Sequence, residues 1–211
     1  MAGDAITTLD FGAGATDPYM KSLRDAMLAL DLFPGVPHPY TLGHSLRVSK
    51  LAAQIATQMG LAEAEIEEIR LAGIVHDIGN FHVPESVVRK PAPLTAEEYE
   101  VMKTHAASGA RMLEPLKAPA IERIVRHHHE RYDGTGYPDG LGGEEIPLGA
   151  RIVAVAECFH DMVSGHAYKS ARTFEDGMAE LRRCSGTQFD PKVVTAFLDW
   201  LQIHGNPREQ Q

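Results

Sequence analysis

A chain of 211 residues with 44% hydrophobic content can bury a substantial core, most simply as one domain with an appendage. A formal net charge of −9 at pH 7 argues against general binding to nucleic-acid polymer or anionic lipid, both of which need broad positive surface. No apolar run is long enough to cross a bilayer, and the opening "MAGDAITTLDFGAGATDP" lacks the basic-then-apolar order of a signal peptide, so a soluble cytoplasmic protein with no membrane contact is expected.

Helical periodicity runs through almost the whole chain, and no stretch alternates apolar with polar residues, which predicts a nearly all-α fold. Residues 1–37 read as a flexible N-terminus and helical arm. Asp17-Pro18 opens a helix carrying Leu23, Met27 and Leu30 until "FPGVPHP" stops it, and this arm is a candidate homodimer element. The main domain is expected over 38–204, with a disordered tail at 205–211. From Thr41, Val48, Leu51, Ile55 and Met59 recur on one helical face, with Gly60 as the stop, and His44 lies one turn before Val48 on that face. A further helix runs through Ile66, Ile69 and Val75. The stretch "NFHVPESVVRKPAPL" reads as a proline-rich connection.

Thr95 and Glu98 have capping-box spacing at the start of a helix whose apolar face runs Met102, His105, Ala106, Gly109, Met112. Pro119 starts another, whose face holds Ile121, Ile124, Val125 and then His128, with His129 one turn beyond Val125. The glycine-rich turn in "HHHERYDGTGYPDG" ends it. Helices are expected from about Pro147, from about Thr173, and from Asp190-Pro191, where Val194, Phe197, Leu198 and Leu201 form the buried stripe. The two cysteines, Cys158 and Cys184, fall within or at the end of helices and read as buried thiols.

Collected from these faces, the ionisable residues are His44, His76 with Asp77, His105, His128 with His129, and Glu157. A lone histidine on a core-facing stripe is usually a hydrogen-bonded core residue. Burying five imidazoles and two carboxylates in one small helical domain leaves many polar groups to satisfy, and a metal centre satisfies them together. Imidazole and carboxylate without thiolate suit iron, manganese or zinc. The ligand count exceeds that of one tetrahedral ion and suggests two ions sharing a carboxylate.

In "HPYTLGHSLRVSKLA", "AGIVHDIGNFHVPESVVRKPAPLTAEEYEVMKTHAASGARML", "HHERYDGTGYPDGLGGEEIPLGARIVAVAE" and "GTQFDPKVV", the chain resembles the HD-GYP phosphodiesterases, a branch of the HD superfamily of metal-dependent phosphohydrolases. The resemblance spans about residues 38 to 201 and implies an HD-domain helical bundle. It implies that His76 and Asp77 are the name-giving pair, with Asp77 bridging two divalent ions, iron or manganese first and zinc, nickel or magnesium as alternatives. His44 and Glu157 would complete one ion's shell, and His105, His128 and His129 would hold the other. His127, about 100° around the helix from His128, is expected not to be a ligand. Some members hold a third metal through a carboxylate one turn before the first histidine, but that position here is Tyr40.

The family's reaction is hydrolysis of cyclic di-GMP to the linear dinucleotide, and sometimes on to GMP. The resemblance therefore implies a cyclic dinucleotide phosphodiesterase, with the glycine-rich loop (Asp133, Gly134, Gly136, Tyr137) beside the substrate or a partner protein. Three departures bear on activity. The family usually reads Lys where Asn80 stands, which removes a cation expected near the scissile phosphate. Glu157 replaces an aspartate. The family's "DRPYR" becomes Gly165-His166-Ala167-Tyr168-Lys169, in which Lys169 keeps a permanent charge and His166 offers a proton-dependent one. Two other readings stay open: a degenerate module that binds metal or nucleotide and signals through a partner protein, and a phosphohydrolase for another nucleotide.

Overall fold

The computed structural model describes residues 42–164 and 172–206. The N-terminal arm, Tyr40, His166, Lys169 and the end of the tail lie outside the described residues. Within them the chain forms eight α-helices and three short 3-10 helices, with one isolated bridge between Ser185 and Phe189. The all-α expectation holds. No helix among the described residues is long and apolar enough to cross a membrane.

Helix α1, Leu42–Gln58, buries Val48, Leu51 and Ile55 along one stripe and packs against α2, Glu63–Val75. The two backbones approach so closely that a Cβ on Gly73 would stand 2.7 Å from Ser49 Cα, while Ser49 Oγ donates to Arg70 O at 2.7 Å. That contact fixes the end of α2, and so His76, against the helix that carries His44. The proline-rich connection is not plain coil. It holds a 3-10 helix, Ile78–His82, and a single helical turn, α3, Glu85–Val88, because Pro84 accepts from Val87 N and Val88 N and ends the extended stretch at Val83.

Helix α4, Ala96–Leu113, starts at the capping box read from the sequence: Glu98 N donates to Thr95 Oγ1 at 3.3 Å and Thr95 N donates to Glu98 Oε2 at 2.7 Å. After a 3-10 turn at Glu114–Leu116 comes α5, Pro119–His127, which ends two residues earlier than its apolar stripe suggested. His128 is its C-cap and His129 lies in the following turn.

Helix α6, Leu148–Ser164, is the central element. It packs on α1, α2 and α5, then on α7, Phe174–Arg183, and α8, Pro191–His204. Phe159 and Phe197 are fully buried with ring centroids 5.0 Å apart and nearly perpendicular, and burial of each such side chain contributes roughly 1.5–3 kcal/mol. Buried Asp190 caps α8 by accepting from Lys192 N at 2.8 Å and also pairs with Arg151, which ties the start of α8 to the start of α6. Cys184 is buried as expected, but Cys158 is half-buried.

Candidate metal centre

Two overlapping sets of ligand atoms meet where α1, the end of α2, α4 and the end of α5 converge. His44, His76 and Asp77 form one set, and Asp77, His105, His128 and His129 form the other; within each, the atoms lie within 4.8 Å of one another. Asp77 belongs to both. Its Oδ2 is 3.5 Å from His76 Nε2 and its Oδ1 is 3.4 Å from His105 Nε2.

Local structure aims these rings. His76 Nδ1 donates to Gly73 O at 2.9 Å, His105 Nδ1 to Met102 O at 2.7 Å, and His128 Nδ1 to Val125 O at 2.6 Å. Each partner lies three residues back, near the end of α2 and of α5 and in the middle of α4, so the backbone itself sets the tautomer. A carbonyl can only accept, which puts the proton on Nδ1 and leaves Nε2 with a lone pair facing the cluster. The consequence is visible between His105 and His128, whose Nε2 atoms lie 3.3 Å apart. Two neutral rings held in this way turn lone pairs toward each other, and only a proton or a cation relieves that. Among the described residues, buried His76 Nε2 has no hydrogen-bond partner either. Burial, and then the neighbouring rings, push His128 and His129 well below the ordinary histidine range, so both are neutral donors near pH 7.

The sequence places Glu157 as the carboxylate beside His44, yet its oxygens belong to neither compact set. It is half-buried, and the Asp77 charge reaches it. With His128, His129 and Asp161 it lines a cavity of about 330 Å³. Burial first, then the Asp77 and Asp161 charges, raise its carboxyl well above the usual range. Asp161, one turn further along α6, is raised to about 7 by burial and then by the Asp77 charge, and its Oδ1 lies 3.4 Å from His44 Nδ1. The sequence reading missed Asp161, and also buried His160, whose ring centroid is 5.1 Å from that of His44. The i, i+4 spacing of Glu157 and Asp161 was the available signal. Three carboxylates crowded beside neutral imidazoles demand compensating positive charge, and His and carboxylate donors fit hard or borderline divalent ions.

Gly79 of the HDIG stretch has a purely steric role. A Cβ there would stand 1.8 Å from His105 O and 2.5 Å from Gly109 N, so the 3-10 helix is pressed onto α4 and sets the distance from Asp77 to His105. Asn80 follows it, 8% exposed.

The glycine-rich loop is built by groups the sequence reading assigned elsewhere or not at all. His127 turns away from the cluster, as expected: its Nδ1 donates to Arg123 O at 2.8 Å and its Nε2 meets Asp139 Oδ2 at 2.9 Å. Arg126 clamps the same carboxylate with two hydrogen bonds of 2.7 Å. Buried Glu130 accepts from Asp139 N and Gly140 N through Oε1. Asp133 accepts from Thr135 N and Oγ1, and Arg131 helps to hold its carboxyl at about 2, so its oxygens are occupied within the loop. A Cβ on Gly136 would stand 2.3 Å from Arg131 N and 2.5 Å from Glu130 Cα, which makes it a packing position against the backbone that follows His129. Gly134, with φ +77°, supplies the left-handed turn. Tyr132 N and Asp133 N dock the loop onto Gln188 O and Thr187 O of the "GTQFD" stretch. Tyr137 closes the site: its ring lies 5.0 Å from His129 and 6.4 Å from His105, and burial raises its hydroxyl far above the ordinary tyrosine range.

A family model described as "HD domain" matches residues 36–193. The chain is 42% identical over 183 residues to a cyclic di-GMP phosphodiesterase of Thermotoga maritima, a match covering 85% of this chain and 50% of the relative. It is 45% identical over 155 residues to a cyclic di-GMP phosphodiesterase response regulator of Xanthomonas campestris, covering 72% and 41%. The chain therefore spans about half, or less, of the length of these relatives. Among solved structures, a cyclic GMP-AMP specific phosphodiesterase of Vibrio cholerae superposes with a TM-score of 0.63 at 22% identity, over 90% of this chain and 49% of that one. An HDG"Y"P protein of Bdellovibrio bacteriovorus superposes with a TM-score of 0.64 at 19% identity, over 87% and 61%. At those identities the likeness speaks for the fold alone.

Proposed function

This chain belongs to the HD domain family, and from that premise we propose that it is a metal-dependent phosphodiesterase that opens a cyclic dinucleotide, cyclic di-GMP or cyclic GMP-AMP, to the linear product. The observation that carries this reading is the sharing of Asp77 between the two ligand sets, with the lone pairs of His105 and His128 opposed across 3.3 Å. His44, His76 and Asp77 would hold one ion, with Glu157 and Asp161 the nearby carboxylates. Asp77, His105, His128 and His129 would hold the second. Iron or manganese fits this donor set best.

Held by these residues, divalent ions would supply neutralisation of phosphate oxygens and a lowered pKa for water near neutral pH. The protein's own contribution is placement. Carbonyl locks on His76, His105 and His128 keep Nε2 aimed inward, and burial keeps His128 and His129 unprotonated. Tyr137 packs against His129, with ring centroids 5.0 Å apart, and limits its contact with solvent. In-line attack of water on phosphorus would form one P–O bond and break the P–O3′ bond, with the proton lost by the water passing to the 3′ oxygen, so no protein nucleophile is required. The relatives' names support the substrate class, and Asn80 favours a slower reaction than a lysine at that position would give.

The test is direct. Purified protein loaded with manganese or iron is incubated with cyclic di-GMP and with cyclic GMP-AMP, and linear product is followed by chromatography. Conversion of either supports the reading. Full metal loading with binding but no hydrolysis of either substrate replaces it with a nucleotide-binding module that acts through a partner.

A further inference from the structure

Tyr99 and Lys103 sit four residues apart on α4, hence on one face of the helix, and they look toward the glycine-rich loop. Lys103 Nζ lies 4.9 Å from the Tyr99 ring centroid and 5.7 Å from that of Tyr137. The two tyrosine rings are 6.3 Å apart and nearly perpendicular, at 84°. Tyr137 in turn rests on His129 at 5.0 Å. Aromatic steps of 5.0 and 6.3 Å therefore lead outward from the metal-binding imidazoles to Tyr99, whose surface is 46% exposed.

We propose that Tyr99, Tyr137 and Lys103 form the docking subsite for one purine base of the cyclic dinucleotide and the phosphate next to it. This rests on the proposed function, which places the scissile phosphate at the ligand sets. A base joined through its ribose to that phosphate lies beside Tyr137, where the exposed face of Tyr99 offers a stacking surface to any π-system. The ammonium of Lys103, over both rings, meets the second phosphate of the ring. Its partner, Glu100 at 2.6 Å, is a solvent-exposed carboxylate, and such surface pairs hold their charges weakly enough for a phosphate to compete. The cation that Asn80 does not supply from the HDIG side is thus supplied from α4.

The test uses the full chain at fixed metal loading, with Tyr99→Ala, Tyr99→Trp, Lys103→Gln and the parent. Two substrates are compared: cyclic di-GMP, and bis(p-nitrophenyl) phosphate, a diester with no purine. The expected result is that Tyr99→Ala raises KM for cyclic di-GMP at least roughly tenfold, equivalent to about 1.4 kcal/mol, with the loss in KM rather than kcat. The ratio of kcat/KM between the two diesters should fall by the same factor, and Tyr99→Trp should restore it. Lys103→Gln should raise KM and flatten its dependence on salt. Equilibrium binding of cyclic di-GMP, by calorimetry, gives the same comparison in a protein that proves catalytically silent, so failure of the hydrolytic reading is separable from failure of the subsite. An unchanged KM and affinity in Tyr99→Ala, an equal loss on both diesters, or a parent protein that binds no cyclic dinucleotide would overturn the proposal.

Discussion

Asp161 Oδ1 lies 3.4 Å from His44 Nδ1, so the histidine of α1 is faced by a carboxylate, whereas His76, His105 and His128 are each held by a backbone carbonyl. A carboxylate at that distance orients the ring and makes it a more basic ligand, and loss of such an outer partner typically costs 10–100-fold in metal affinity. Asp161→Asn should therefore weaken one of the two proposed ions by roughly 10–100-fold and leave the other near its parent affinity. Competition with a fluorescent chelator, alongside elemental analysis, reads both. An unaltered affinity for both ions would leave Asp161 without a role in the centre.

Asp77→Ala is expected to behave differently, because Asp77 stands in both ligand sets. Both ions should be lost together. His127→Ala should keep both, since that ring is turned to Asp139 and Arg123, although the loop it anchors should become more sensitive to protease.

Gly79→Ala tests the steric reading of the HDIG stretch. The added carbon meets a backbone carbonyl at 1.8 Å, which no side-chain adjustment relieves. The expected cost is at or beyond the upper end of the roughly 1–3 kcal/mol of ordinary overpacking, with metal content falling as Asp77 and His105 are pushed apart. Gly136→Val should likewise lower stability and metal content together, because its Cβ would meet the Glu130–Arg131 backbone beside His129. Denaturant titration with metal analysis decides whether the two losses travel together.

Asn80→Lys should raise the rate of cyclic di-GMP hydrolysis at least roughly tenfold, or about 1.4 kcal/mol of barrier, through a cation placed where charge develops. Position 80 is nearly buried, so the new ammonium must extend along the edge of the cluster to reach solvent or phosphate. The comparison is made at matched metal loading, because the same charge could repel an ion.

The clamp on Asp139 predicts an acid-sensitive loop. The Arg126 guanidinium, and then His127, hold its carboxyl at about 2, below the ordinary 3.8. A carboxyl depressed on folding contributes stability that is present above its unfolded value and lost as pH falls through the folded one. The stability difference between the parent and Asp139→Asn should hold steady near neutral pH, shrink below about pH 4 and vanish near pH 2. The carboxylate is partly exposed, so screening keeps the difference small, and high salt should reduce it further.

What the sequence determined by itself was local. Capping at Thr95 and Asp190, the apolar stripes, and the imidazoles placed on those stripes all follow from spacing within one helix, where three or four residues decide which face a side chain shares. The turning of His127 away from the cluster follows for the same reason. Tertiary structure decided whatever depends on how one helix sits against another. The register of α6 on α1 brings Asp161, and not Glu157, within 3.4 Å of His44, although both stand on the same turn-to-turn ladder. The crossing of the 3-10 helix on α4 makes Gly79 a steric requirement. The fold of the loop back on α5 buries Glu130 and sets Tyr137 between His129 and Tyr99. These separations span many residues of chain, and periodicity within a helix carries no information about the register between helices.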